Sequence, residues 1–187
     1  LKYLKGTLYL KLRITVDNLS SSQWSIDASH GVHWDCKGQT GAGMTLGKGA
    51  VVSFSRKQKV NTRSSTESEL VGVDDAMPTV LWCLYFIQEQ GYEMTHATIY
   101  QDNQSAILLE RNGKMSSRKG TKHIKMKYYF ITDRIQDGEV KVEHKSTNDM
   151  WIDVNTKPKQ GRPYRVDRGE MMGCPVDLPS SISSMPL

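Results

Sequence analysis

Cysteine is scarce in this sequence. Cys36, Cys83 and Cys174 are odd in number, far apart and form no CxxC pair, which argues against a disulfide framework and against structural zinc. No uninterrupted apolar run approaches the roughly 18 residues of a membrane span, and no signal peptide opens the chain. Secretion and membrane insertion are therefore not expected. Proline is sparse until late: Pro78 stands alone, and the other five prolines lie at or beyond Pro158. Acid does not dominate either, since 25 Lys+Arg against 20 Asp+Glu leave a net charge of +5. A basic balance favours polyanionic partners. What is present, 37% hydrophobic residues in 187, can fill one core. The first residue is Leu rather than Met, so the chain is expected to be a piece of a longer one.

Residues 1–22 read as a helix end, a break at Gly6, an apolar-alternating strand and a serine-rich turn, a connection from a preceding region. From Gln23 the stretch QWSIDAS alternates and reads as a strand. Residues 41–54 read as two more strands joined by a tight turn at Gly47-Lys48-Gly49. Residues 65–90 hold Leu70, Val73, Met77, Val80, Leu81, Leu84 and Ile87 at spacings of three and four, one face of a long helix. Thr66 and Glu69 have the spacing of a capping box at its start, and Pro78 is expected to kink or split it. A strand (97–102), a short helix (103–112), a helix (121–137), a strand (139–144) and a last helix (147–156) follow. The order βββαβααβα points to an α/β mixed sheet covered by helices. Residues 161–187 show no periodicity and are expected to be a flexible tail.

Four acids stand out by context. Asp27 ends the apolar strand WSID, and Asp102 ends ATIYQ. Glu69 sits in the first turn of the long helix beside Leu70, and Asp153 lies on the last helix, within WID. Ligands of open sheets gather where strands end and helices begin. A carboxylate among apolar neighbours is costly unless a cation compensates it, and four together repel. A pair of hard divalent ions about 3.5–4 Å apart would relieve them. The alternative is four unrelated caps and surface acids.

The segments IDAS, SSTESELVGV, IYQDNQSA, TKHIKMKYYFITDRI and DVNTKP, in this order, resemble the ribonuclease H domain of copia-type retrotransposon polyproteins over residues 20–160. KYLKGT resembles the link that these polyproteins place between reverse transcriptase and ribonuclease H. The resemblance implies a ribonuclease H-like fold: a five-stranded mixed sheet, its first three strands antiparallel, with helices on both sides. It implies a connection at 1–22, a ribonuclease H domain at 23–160 and a tail at 161–187. The family's metal-binding carboxylates fall on Asp27, Glu69, Asp102 and Asp153, with Asp27 bridging two Mg²⁺ ions that Mn²⁺ could replace. His144, in the connection before the last helix, takes the place of a histidine linked in the family to proton transfer or product release. His123, in TKHI, is a further residue of the family pattern.

The implied activity is hydrolysis of the RNA strand of RNA/DNA hybrids during reverse transcription of a retroelement. An attached reverse transcriptase, cytoplasmic retroelement particles and a monomeric isolated domain are expected with it, and no membrane. Between Arg111 and Thr132 there is no acid, and seven Lys/Arg could neutralise phosphates. Arg118, Lys119, Lys122 and Lys125 are the candidate contacts, with Ser64, Ser65 and Thr66 at the helix N-terminus. Arg56, Lys57, Lys59 and Arg63 form a second basic segment. Trp34 and Trp151 are read as core packing. Two rivals remain. One is a non-cleaving basic domain that positions template for a polymerase. The other is an integrase-like nuclease with three acids, against which the fourth acid argues.

Overall fold

The computed structural model describes residues 2–113 and 122–174, and of 122–128 the backbone alone. After a short helix α1 (Lys2–Gly6) come the strands β1 (Thr15–Val16), β2 (Ser21–Ser29), β3 (Gln39–Thr45), β4 (Gly47–Lys48) and β5 (Val52–Lys57). Helix α2 (Ser65–Glu89), strand β6 (His96–Gln101), helices α3 (Gln104–Asn112) and α4 (Lys122–Gln136), and strand β7 (Val140–His144) follow. Two 3₁₀ turns (Thr147–Asp149 and Trp151–Asn155) and helix α5 (Gly161–Met171) complete the described chain.

Five strands form one mixed sheet in the order β5-β3-β2-β6-β7. The first three run antiparallel, with Ile26 opposite Ala42 and Asp27 opposite Gly41. β6 and β7 are parallel to β2, so the C-terminal ends of β2, β6 and β7 lie side by side. The expected fold class is therefore the observed one. The tight turn at 47–49 has a further use, because Gly47 and Lys48 pair with Thr15 and Val16 of β1.

Strand alternation sorts the two faces of the sheet. Trp24, Ile26, Ala42, Met44, Ile99 and Val142 point to one face, where Val73, Ala76, Met77 and Val80 of α2 cover them. Burying each large side chain contributes about 1.5–3 kcal/mol, and this packing carries α2 through Pro78 as one helix of 25 residues. Pro78 itself is exposed. By length and composition α2 could cross a membrane, but half of its most apolar window is buried inside the protein, as in a core helix.

The capping box also differs from the one expected. Ser64, not Thr66, caps α2 by accepting from the Glu67 N–H at 3.2 Å, and Glu67 reaches back to the Arg63 N–H. Glu69 is buried and so could not serve as the reciprocal cap.

On the opposite face, Gly41 and Gly43 leave β3 bare. A Cβ on Gly41 would lie 2.8 Å from Thr156 Cγ2, and one on Gly43 would collide with the Trp151 ring. The turn from Trp151 to Asn155 rests in that space. It replaces the helix expected at 147–156, because Met150, Trp151 and Ile152 are all buried, and three consecutive buried residues do not fit one face of an α-helix.

Residues 161–174, expected to be mobile, are an ordered helix and its exit. Backbone bonds join Arg13 N–H to Met172 O and Ala50 N–H to Met171 O, each at 2.8 Å. Met171 packs on the Trp151 cluster, and Tyr3 meets Tyr164 at 3.0 Å. Pro163 lies in the first turn of α5, where its missing N–H needs no partner. Polar and backbone bonds rather than an apolar stripe hold this helix, so no periodicity announced it. Residues 175–187 lie outside the described residues.

Candidate functional site

Asp27 is the seventh residue of β2, and Asp102 follows the last residue of β6. Parallel pairing of the two strands brings both acids to the same edge of the sheet. Glu69 arrives from the start of α2, which approaches β2 closely because Gly72 faces Ala28: a Cβ on Gly72 would stand 3.2 Å from that of Ala28. Each of Asp27, Glu69 and Asp102 offers one oxygen, and the three oxygens lie within 4.8 Å of one another. Sequence reasoning singled out all three.

Each acid is held by the chain around it. Asp27 is 1% exposed; Thr156 Oγ1 donates to its Oδ2, and Lys157 Nζ lies 3.3 Å from its Oδ1. Thr147 Oγ1 donates to Asp102 Oδ2 at 2.8 Å. Glu69 accepts from the Ala28 backbone, while its Oε2 is buried with no hydrogen-bond partner among the described residues. Burial, then the charges of Asp27 and Asp102, push the Glu69 carboxyl well above its ordinary value. Burial also raises Asp27, in spite of the Thr156 hydrogen bond and Lys157. An orphaned buried oxygen among converging carboxylates fits a hard divalent cation, which takes all-oxygen ligands. Asp27, Glu69 and Asp102 are the residues that could hold it.

Asp153 is not among the three acids whose oxygens lie within 4.8 Å of one another, but it shares Lys157 with Asp27. It is buried in the second 3₁₀ turn, with Lys157 Nζ 3.0 Å from its Oδ1 and Lys159 Nζ 3.2 Å from its Oδ2. Lys159 continues to Asp167 of α5 at 2.6 Å. Burial works against the Lys157 ammonium, but Asp27 and Asp153 outweigh it and hold its pKa above the ordinary lysine value. Thr156 and Lys157 were missed as site residues. The signal available for Lys157 was its spacing of four from Asp153.

The other candidates are scattered. His144 ends β7, exposed, opposite Gln101, and is not one of the residues gathered at the carboxylates. Ser64 and Ser65 are exposed at the start of α2, and Thr66 is half-buried. Arg118 and Lys119 lie outside the described residues. Lys122 and Lys125 are on α4, as is His123, where the backbone alone is described. Trp151 is core, as expected, but Trp34 is not: it is 92% exposed, with Lys57 Nζ 5.5 Å from its ring centre. It belongs to the loop after β2, where Cys36 takes a left-handed φ of 58°. Val32 and His33 of that loop, with Thr156 and Lys157, line a groove of about 360 Å³ beside Asp27. Arg56, Lys57, Lys59 and Arg63 are all exposed.

No family model matches the chain. The retrovirus-related Pol polyprotein from transposon RE2 of Arabidopsis thaliana is 33% identical over 165 residues, covering 84% of this chain and 11% of that protein. The corresponding polyprotein from transposon TNT 1-94 of Nicotiana tabacum is 35% identical over 121 residues, 65% of this chain and 9% of its own. The chain thus spans about a tenth of the curated relatives it matches. Among solved structures, LC11-RNase H1, isolated from compost by a metagenomic approach, superposes with a TM-score of 0.52 at 12% identity over 73% of this chain and 93% of that one. In its complex with an RNA/DNA hybrid the same protein gives 0.50 at 13% identity, over 72% and 93%.

Proposed function

We propose that this chain, a ribonuclease H-fold relative of the retrovirus-related Pol polyproteins of copia-type plant transposons, hydrolyses the RNA strand of RNA/DNA hybrids with a divalent metal ion. The observation that carries the reading is the convergence of Asp27, Glu69 and Asp102 around the unpartnered Glu69 Oε2, at the shared C-terminal edge of β2 and β6. A nuclease of an RNA backbone must activate a water, align it with the scissile phosphate and stabilise the departing 3′ oxygen. Magnesium, or manganese in its place, would supply Lewis acidity for these tasks when held by the three carboxylates. The chain's own part is to keep those carboxylates fixed: Thr156 and Lys157 orient Asp27, Thr147 orients Asp102, and the Ala28 backbone orients Glu69. Such outer partners set the geometry of ligands.

Duplex binding falls to exposed cations. Arg56 and Lys57 on β5, with Lys59 and Arg63 beyond it, meet the phosphates; the stretch with Arg118, Lys119, Lys122 and Lys125 adds basic charge in sequence, its side chains lying outside the described residues. Trp34, almost fully exposed, offers a face on which a base can stack. Backbone contacts of this kind read the width of the duplex and the 2′-OH rather than base sequence. Within a retroelement polyprotein the domain would work beside an attached reverse transcriptase, in cytoplasmic particles.

Cleavage of a hybrid with labelled RNA, with and without Mg²⁺, tests the reading. Asp27→Asn should lose at least about 100-fold in rate, about 2.7 kcal/mol, while hybrid binding and folding persist. A folded wild-type chain that binds the hybrid and never cleaves it would instead be a template-positioning module.

A further inference from the structure

We propose that Lys157 is a resident cation of the carboxylate site: it fills the position between Asp27 and Asp153, so that the chain takes up one divalent ion and not two. The inference rests on the metal-dependent reading above, and it concerns how many ions that site admits.

The Lys157 ammonium lies 3.3 Å from Asp27 Oδ1 and 3.0 Å from Asp153 Oδ1. An ion joining those two oxygens would need contacts of about 2.0–2.1 Å to each, in the space the ammonium occupies. The remaining oxygens are engaged as well. Thr156 holds Asp27 Oδ2, and Lys159 holds Asp153 Oδ2 at 3.2 Å while itself fixed by Asp167. At Glu69, by contrast, Oε2 has no hydrogen-bond partner among the described residues. The two halves of the acid constellation therefore differ: one is open to a cation, and the other already contains one.

Charge leads to the same count. Fully ionised, Asp27, Glu69, Asp102, Asp153 and Asp167 with the two ammoniums carry −3, and one divalent ion leaves −1. A second would make the site positive before any phosphate arrives. The Lys157 side chain keeps 41% exposure and lines the groove beside Asp27. From there it can neutralise a phosphate of an entering strand as a monovalent charge.

Counting bound Mn²⁺ on the whole chain without nucleic acid, by calorimetric titration and by the paramagnetic resonance of the free ion, tests this. Wild type should take up one ion per chain. Lys157→Met should admit a second at least about tenfold more tightly than wild type does, and Lys157→Arg, which keeps the charge, should stay at one. A wild-type chain that binds two ions with similar affinity overturns the proposal even if Lys157→Met does not fold. So does a folded Lys157→Met chain that still binds one. Failure to cleave hybrids would sink the nuclease reading and leave this count untouched.

Discussion

Glu69→Gln separates the two demands that the carboxylate site makes on the fold. In wild type without metal, Glu69 is buried, and oxygens of Asp27 and Asp102 lie within 4.8 Å, where each ionised neighbour costs about 3.5 kcal/mol at an effective dielectric constant of 20. Burial first, and then its acidic neighbours, raise the Glu69 pKa well above its ordinary value, which eases this cost by favouring the protonated form. The sign follows. A raised pKa means that the native state binds more protons than the unfolded chain, so the group's favourable contribution is present below about pH 4 and is lost as pH rises through the folded value, by at most about 1.4 kcal/mol per pH unit.

Glutamine has no charge to lose, and its carbonyl can still accept from Ala28. In EDTA at about pH 8, Glu69→Gln should therefore be more stable than wild type by about 1–3 kcal/mol, and the gap should close toward acid pH. At a Mg²⁺ concentration of about 100 times Kd, wild type should gain about 2.7 kcal/mol, or about 5–11 °C in Tm at this chain length. The variant should gain less than about a third of that. Thermal melts followed by circular dichroism, across pH and with metal or EDTA, read both effects. A variant as responsive to Mg²⁺ as wild type, or one that is less stable in EDTA at alkaline pH, refutes the reasoning.

Trp34→Ala should weaken hybrid binding by about 1–3 kcal/mol for one lost base stack and leave the melting temperature unchanged, because the ring is 92% exposed; an unchanged Kd would make Trp34 an ordinary surface residue. Glu110 is fully buried and raised well above its ordinary value by burial, so wild-type stability should fall as pH rises through its folded pKa, and Glu110→Gln should flatten that slope by up to about 1.4 kcal/mol per pH unit, as measured by urea unfolding at several pH values. Asp167→Asn removes the charge that anchors Lys159 at 2.6 Å and should cost about 1–3 kcal/mol, with earlier proteolysis within residues 161–174; a chain as stable and as resistant as wild type would mean that α5 does not steady Asp153.

The three gathered acids were legible because strand ends and helix starts can be read from alternation and 3.6-residue spacing. Asp102 follows a strand end, Asp27 stands two residues before one, and Glu69 is near a helix start; the motif resemblance then joined them. The antiparallel meander and the long helix were legible for the same reason: apolar side chains on one face must be buried together, and their period reports which face. What escaped the sequence was held by contacts without period. α5 is fixed by backbone bonds to Arg13 and Ala50 and by the Lys159–Asp167 pair, partners separated in sequence or lacking any apolar pattern. Trp34 gave no sign of its exposure, since a tryptophan in a loop has the same composition inside or out. Asp153 looked like the fourth member of the cluster. Only the tertiary structure, by seating the turn from Trp151 to Asn155 on the bare surface of Gly41 and Gly43, brought Lys157 between Asp153 and Asp27. The sequence determined which carboxylates could act, and three-dimensional packing decided which of them meet a cation from their own chain.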